Sequence, residues 1–182
     1  MKMKKINTLL LGSLFIALLV INSCDPMDDV YLTLALETEF NTETPVPNVS
    51  LTEDFCLSDF DDYNDNNDNI NEIKYITAAY FTIDHSNGLQ GEFRLRLYRT
   101  DTNTLLVDYT DQSFNADSSL INPLIIDLDQ DEIDNINAYL INPKVDKCFR
   151  AVLDVNNASD NDGAPFYLHG KVEFLTELKV EP

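Results

Sequence analysis

The sequence has few of the residues on which common catalytic and cofactor sites depend. It contains two histidines, five glycines, three cysteines and no tryptophan in 182 residues. Glycine-rich phosphate loops, the Gly-x-Ser-x-Gly nucleophile motif and the His-Glu-x-x-His zinc motif do not occur. The charge is one-sided, because 32 acidic residues outnumber 12 basic ones, and the net charge of −20 repels nucleic acid phosphates. These absences favour a protein that is not an enzyme and does not bind nucleic acid.

The most specific motif lies in the first 24 residues. Three lysines among the first five residues precede an apolar run over residues 9–21. This run is shorter than the roughly 20 apolar residues of a membrane-spanning helix, and it is typical of a signal peptide. At the end of the run, residues 21–24 read Ile-Asn-Ser-Cys. The cysteine is thus preceded immediately by a small residue, and an aliphatic residue lies three positions before it. This tetrapeptide resembles the lipobox of bacterial lipoproteins.

The resemblance to bacterial lipoproteins implies both a location and an anchor. Residues 1–23 would be removed as a signal peptide, and Cys24 would become the first residue and carry acyl chains. Residues 24–29 would form the lipidated N-terminus and a short tether. The protein would then lie in the bacterial cell envelope, at the outer membrane on its periplasmic or its surface face, with the membrane as a partner through the lipid anchor. A secreted protein without lipid and an uncleaved signal anchor are the alternatives.

Two cysteines remain once Cys24 is acylated. Because exported chains meet oxidising conditions, Cys56 and Cys148 are predicted to form a disulfide. A pair of free buried thiols is the alternative. Neither cysteine has a histidine near it in the sequence, which disfavours a catalytic thiol.

Residues 30–182 are predicted to form a single, mainly β domain of ordinary size. Residues 166–180 alternate apolar and polar side chains with a period of two, as in a half-buried strand. One helix is predicted at about 131–141, because Asp129 and Glu132 have the spacing of a capping box. The pattern favours an antiparallel β-sandwich resembling an immunoglobulin-like domain, with a β-barrel as the alternative. The other predicted strands cover residues 30–36, 73–83, 91–99, 105–109, 124–128 and 149–155.

An acidic segment at residues 59–72 is a candidate calcium loop. Calcium binds six to eight oxygen ligands, which carboxylate and amide side chains of a flexible loop can supply. The spacing departs from an EF-hand, because Tyr63 and Asn66 occupy positions that need a ligand and a glycine. A solvated acidic loop without a metal is the alternative. The candidate calcium ligands are Asp61, Asp65, Asn67 and Glu72.

A basic cluster is a candidate ligand site on this acidic chain. Three arginines lie close together on the predicted strand at residues 91–99. Such a cluster could bind a carboxylate or a sugar acid, or the arginines could form ion pairs with acidic residues on neighbouring strands. The residues of this candidate site are Arg94, Arg96, Tyr98 and Arg99.

Three functions remain open at the level of sequence. The first is a membrane-anchored envelope lipoprotein that acts as a non-catalytic binding or scaffold module for an envelope protein or a glycan. The second is an adhesion module stabilised by calcium, which would be its cofactor. The third is a hydrolase that uses paired carboxylates, a class that abundant acidic residues neither identify nor exclude.

Overall fold

The structure is a computed structural model that describes residues 29–181. The predicted signal peptide and the lipidation site at Cys24 lie outside the described residues. Eight strands form the domain, and three short helices and one 3₁₀ turn (Leu57–Asp59) lie between them. The helices are α1 (Asp61–Asn64), α2 (Ala116–Ile121) and α3 (Gln130–Leu140). The strands are β1 (Val30–Thr44), β2 (Val49–Cys56), β3 (Ile70–His85), β4 (Gln90–Arg99), β5 (Leu105–Asn115), β6 (Leu124–Ile125), β7 (Cys148–Ser159) and β8 (Phe166–Val180).

The strands form two antiparallel sheets of four strands each. Sheet I has the order β1-β8-β3-β6, and sheet II has the order β2-β7-β4-β5. This is the strand order of an eight-stranded jelly roll. The prediction of a mainly β antiparallel sandwich is confirmed. Both sheets have open edges, so the alternative of a closed barrel does not apply. Within the sandwich class, the strand order is that of the jelly roll and not that of the immunoglobulin domain.

The core lies between the two sheets and follows the period-two pattern of the sequence. Strand β8 buries every second residue and runs in continuous register with β1, from Val30 opposite Val180 to Thr44 opposite Phe166. Aromatic rings join the sheets. Phe55 of sheet II packs 6.4 Å from Phe174 of sheet I, measured between ring centroids. A second aromatic cluster, at the other end of the core, consists of Tyr80, Phe93 and Phe114.

Helix α3 begins with the predicted capping box. The Asp129 side chain accepts a hydrogen bond from the Glu132 backbone N–H (2.9 Å), and the Glu132 carboxylate accepts one from the Asp129 N–H (3.0 Å). These two bonds satisfy backbone donors that the first helical turn leaves unpaired. The helix covers Gln130–Leu140, against a prediction of about 131–141, and buries Ile136 and Leu140. The structure adds α1 and α2, which were not predicted.

The antiparallel strands give the sandwich two distinct ends. Strands β1 and β3 start, and β8 finishes, at the end that we call the N-terminal end. The Glu181 N–H donates to Asn69 O there, and the Leu57 N–H donates to Lys147 O. This end includes loops 57–69, 100–104 and 141–147. The opposite end, called the distal end, carries helix α2 and the turns at residues 45–48, 86–89 and 160–165.

Candidate functional site

The arginines of the predicted ligand site lie on β4, and each is paired with an acidic side chain. Arg94 donates two hydrogen bonds to Asp108 on β5 (2.6 and 2.5 Å). The Arg94 guanidinium holds the pKa of the Asp108 carboxyl below its ordinary value through these hydrogen bonds. Arg96 donates to Asp154 on β7 at 2.5 Å and to the Tyr98 hydroxyl at 3.2 Å.

Arg99 completes this set at the end of β4. It donates two hydrogen bonds to Asp101 in the following turn (3.0 and 2.7 Å), and its guanidinium lies 4.4 Å from the centre of the Tyr139 ring. The four residues therefore share the same strand, but the charges of the three arginines are compensated by partners on β5, β7 and the β4–β5 turn. This geometry matches the ion-pair alternative for the cluster.

The candidate calcium ligands are spread along a turn and a strand. Asp61 lies in the first turn of α1, Asp65 and Asn67 lie in the following turns, and Glu72 lies in β3. Glu72 forms an ion pair with Lys74 at 2.9 Å. Within residues 29–181, the one set of three His, Cys, Asp or Glu ligand atoms that gather within 4.8 Å is Cys56, Asp146 and Cys148. The structure does not bring the carboxylates of Asp61, Asp65 and Glu72 together in this way.

The acidic segment instead forms a hydrogen-bonded turn around a buried tyrosine. Tyr63 is buried, and its hydroxyl donates to the Pro143 carbonyl at 2.7 Å. Burial raises the pKa of the Tyr63 phenol. The Asn64 amide donates to Ser58 O (2.8 Å), and the Asn66 amide donates to Asp62 O (2.8 Å). Tyr63, which occupies a position where an EF-hand needs a ligand, thus connects loop 57–69 to loop 141–147.

The predicted disulfide between Cys56 and Cys148 is present in the structure. The two cysteines are directly opposite each other, at the last position of β2 and the first position of β7. The Tyr139 hydroxyl donates to Cys148 O at 3.0 Å and accepts from the Cys148 N–H at 3.2 Å. The disulfide therefore joins β2 to β7 at the N-terminal end, and the Tyr139 hydroxyl connects helix α3 to the same point of β7.

Loop 141–147 contains a group of residues that the sequence did not single out. Ile141 is 81% exposed and Val145 is 48% exposed, although both are large and apolar. In residues 29–181, Lys144 and Lys147 are the two basic residues that form no ion pair. Lys147 instead lies 5.2 Å from the centre of the Tyr139 ring.

An open groove of about 540 Å³ adjoins this loop. It lies between helix α3 and the start of β3, and Ile141 forms part of its wall. Lys74, Lys179 and Glu72 also line it, so the groove presents charges of both signs. Its charged side chains take part in ion pairs, since Lys179 contacts Asp29 at 2.7 Å.

A second group of exposed apolar residues lies towards the distal end, at the open edge of sheet I. Helix α2 packs on β3, where the Ser119 and Thr82 hydroxyls form a buried hydrogen bond of 2.5 Å. Ile121, at the end of this helix, is 78% exposed, and Ile125 in β6 is 54% exposed. Short β6 is the last strand of sheet I and pairs with β3 at Ala79 and Tyr80. The exposed members of this group, which we call the α2–β6 patch, are Ile83, Leu120, Ile121 and Ile125.

Both histidines are held by local contacts. His85 Nδ1 lies 2.7 Å from Ser86 O, and its Nε2 lies 3.4 Å from Asp117. His169 Nε2 lies 3.1 Å from the Glu39 carboxylate. Among residues 29–181, no helix combines the length and the apolar character that crossing a membrane requires.

Comparisons with known proteins do not identify a family. No protein-family model matches the chain, and no curated protein is significantly similar to it. Similar solved structures include one titled Desmodium yellow mottle tymovirus (6% identity, TM-score 0.41, 86% of this chain and 92% of that chain). Another is the infectious bursal disease virus VP2 subviral particle (10% identity, TM-score 0.36, 86% of this chain). The match spans 34% of the VP2 chain. At these TM-scores the similarities support no conclusion about this chain. The jelly-roll topology is established by the strand order alone.

Proposed function

We propose that this chain is a bacterial envelope lipoprotein, anchored at the outer membrane through acyl chains on Cys24. Its β-sandwich acts as a non-catalytic binding or scaffold module for another envelope protein. The lipobox-like tetrapeptide at residues 21–24 supports the anchor. The position of the domain supports it further, because β1 begins at Val30, six positions after Cys24. An extended chain covers at most about 3.6 Å per residue, so the tether holds the domain within about 20 Å of the lipid surface.

The observation that carries the binding role is the α2–β6 patch. Apolar residues scattered singly are normal on a protein surface, whereas exposed apolar residues grouped together mark sites of interaction. The four residues of the patch lie on three neighbouring elements, β3, α2 and β6. The patch lies along an open sheet edge. Strand β6 has only two residues, so most of this side of β3 has no strand neighbour, while β8 pairs with its other side. Aliphatic side chains next to an open edge suit a protein partner better than a glycan, which the chain would have to bind without tryptophan.

The charged side chains form ion pairs within the domain, which favours a structural role for them over a catalytic one. Arg94, Arg96, Arg99 and Arg150 all engage aspartates in ion pairs. The acidic segment at residues 59–72 supplies caps, turns and one ion pair. These contacts favour a scaffold over a calcium-dependent adhesion module or a carboxylate hydrolase.

Two measurements test the anchor and the partner separately. Mass spectrometry of the protein from its native membrane should find residues 1–23 removed and acyl chains on Cys24, and a Cys24→Ser variant should lose the lipid. An unprocessed or lipid-free chain would contradict the anchor.

For the partner, a photo-crosslinking residue at Ile121 should capture one protein in intact cells. The matched control places the same residue at Thr110, which is exposed on sheet II. An Ile125→Asp change should abolish capture from position 121, because it puts a charge into the same apolar patch. Equal capture from positions 121 and 110, or capture that survives Ile125→Asp, would refute the binding role of the patch.

A further inference from the structure

Loop 141–147 presents two apolar side chains on a rigid base. The base is held at Pro143, which is buried and accepts the Tyr63 hydroxyl hydrogen bond, and at Asp146. The Asp146 carboxylate accepts hydrogen bonds from the Ser58 N–H (3.1 Å) and from the Ser58 hydroxyl (2.7 Å). Because these contacts fix the loop, the exposure of Ile141 and Val145 is a property of the folded domain.

The loop lies at the end of the sandwich from which the tether leaves. The disulfided Cys148 immediately follows the loop, and Val30 begins β1 at this same N-terminal end. If acyl chains on Cys24 enter a bilayer, the tether keeps this end within about 20 Å of the headgroups. A tether this short gives weak contacts between the loop and the lipid a high effective concentration.

The charges of the loop suit a lipid headgroup layer. Every other basic residue in the described range is compensated by a carboxylate, whereas Lys144 and Lys147 are not. Lysines that flank exposed apolar side chains can place their ammonium groups among lipid phosphates while the apolar groups enter the interface. The neighbouring loop 57–69 is acidic, so an anionic bilayer would repel this end over a screening length of about 8–10 Å. Zwitterionic lipid is therefore the better surface.

We propose that loop 141–147 docks onto the bilayer that holds the anchor. Ile141 and Val145 enter the headgroup region, and Lys144 and Lys147 contact lipid phosphates. This inference rests on the proposed lipid anchor at Cys24. Docking through the loop orients the sandwich, so that the distal end points away from the membrane.

The absence of tryptophan makes this orientation directly measurable. The lipidated protein carrying Ile141→Trp is reconstituted into phosphatidylcholine vesicles whose acyl chains are brominated close to the headgroup. The control is Val46→Trp, since Val46 is also exposed (52%) but lies at the distal end. Emission from position 141 should shift to the blue and lose intensity relative to unbrominated vesicles. Emission from position 46 should not change.

Further variants separate the possible failures. Flotation with vesicles first establishes that the lipid anchor inserts. A protein that does not float contradicts the lipid anchor of the proposed function. A protein that floats, but whose tryptophan at position 141 is no more quenched than that at position 46, overturns the docking inference and leaves the anchor intact. Adding Lys144→Glu and Lys147→Glu to the Ile141→Trp protein should reduce the quenching. Quenching that persists unchanged in this triple variant would refute the role of the lysines.

Discussion

Breaking the disulfide between Cys56 and Cys148 should strongly destabilise the domain. The disulfide joins residues 92 positions apart in the chain. In the unfolded state it closes a loop that contains β3, β4, β5, β6 and helix α3. A variant carrying both Cys56→Ala and Cys148→Ala removes this constraint without leaving a free thiol.

The size of the effect follows from the length of the loop. In the chain-entropy model, closing a loop of this length lowers the entropy of the unfolded chain by an amount that stabilises the fold by about 4–5 kcal/mol. For a domain of 150–250 residues, each kcal/mol corresponds to roughly 2–4 °C in Tm. The double variant should therefore melt about 8–20 °C below the oxidised protein, if it remains folded at the starting temperature.

Thermal denaturation followed by circular dichroism measures this difference, and reduction of the unmutated protein provides an independent route to the same state. The double variant should be insensitive to the reductant, which controls for other effects of reduction. A Tm difference below about 2 °C would refute the reasoning, because it would mean that loop closure contributes almost nothing to the free energy of unfolding.

Three further predictions concern local contacts. Asp129→Ala removes the capping box of α3 and should lower the free energy of unfolding, measured in urea, by about 1 kcal/mol. The control Asp131→Ala removes no cap and should have a smaller effect, so equal effects would contradict the capping role. Tyr139→Phe leaves the Cys148 N–H without its hydroxyl partner, whereas the Cys148 carbonyl keeps its hydrogen bonds from Thr100. The change should cost about 1 kcal/mol in the same assay, so an unchanged urea midpoint would contradict it. Burial raises the pKa of Tyr75 to about 12 from its ordinary value of 10.0. Because the Tyr75 phenol of the unfolded chain loses its proton at lower pH than that of the folded domain, stability should fall as the pH rises above about 10. Tyr75→Phe should make that fall shallower, and an identical pH profile of Tm in the variant would refute this expectation.

The elements that were predicted correctly are those whose signals are local. The alternation in residues 166–180 is complete, and β8 covers Phe166–Val180. The capping box of α3 depends on two residues three positions apart. In contrast, β2 (Val49–Cys56) was not predicted, because Glu53 occupies a position where the alternation of Val49, Leu51 and Phe55 calls for an apolar residue. As Glu53 is exposed on an edge strand, the fold tolerates the interruption.

The strand order and the ion pairs could not be predicted from local patterns. The immunoglobulin and jelly-roll orders use strands with the same periodicity and differ in which distant strands become neighbours. Similarly, Arg96 pairs with Asp154, which is 58 positions away in the sequence. The disulfide was predictable, since elimination left one possible pair. Within residues 29–181, the two lysines without ion pairs could be recognised only after the partners of the other basic residues of this range were known.

Strand β8 lies in sheet I between β1 and β3, both far from it in the sequence. Both long strands depend on it for their hydrogen bonds along most of their length. Pairings between strands that lie far apart in the sequence make folding slow, because the connecting segment must first be ordered. Sheet I therefore cannot assemble until β8 has been synthesised. A chain that stops before Phe166 leaves β1 and β3 with exposed edges that invite aggregation.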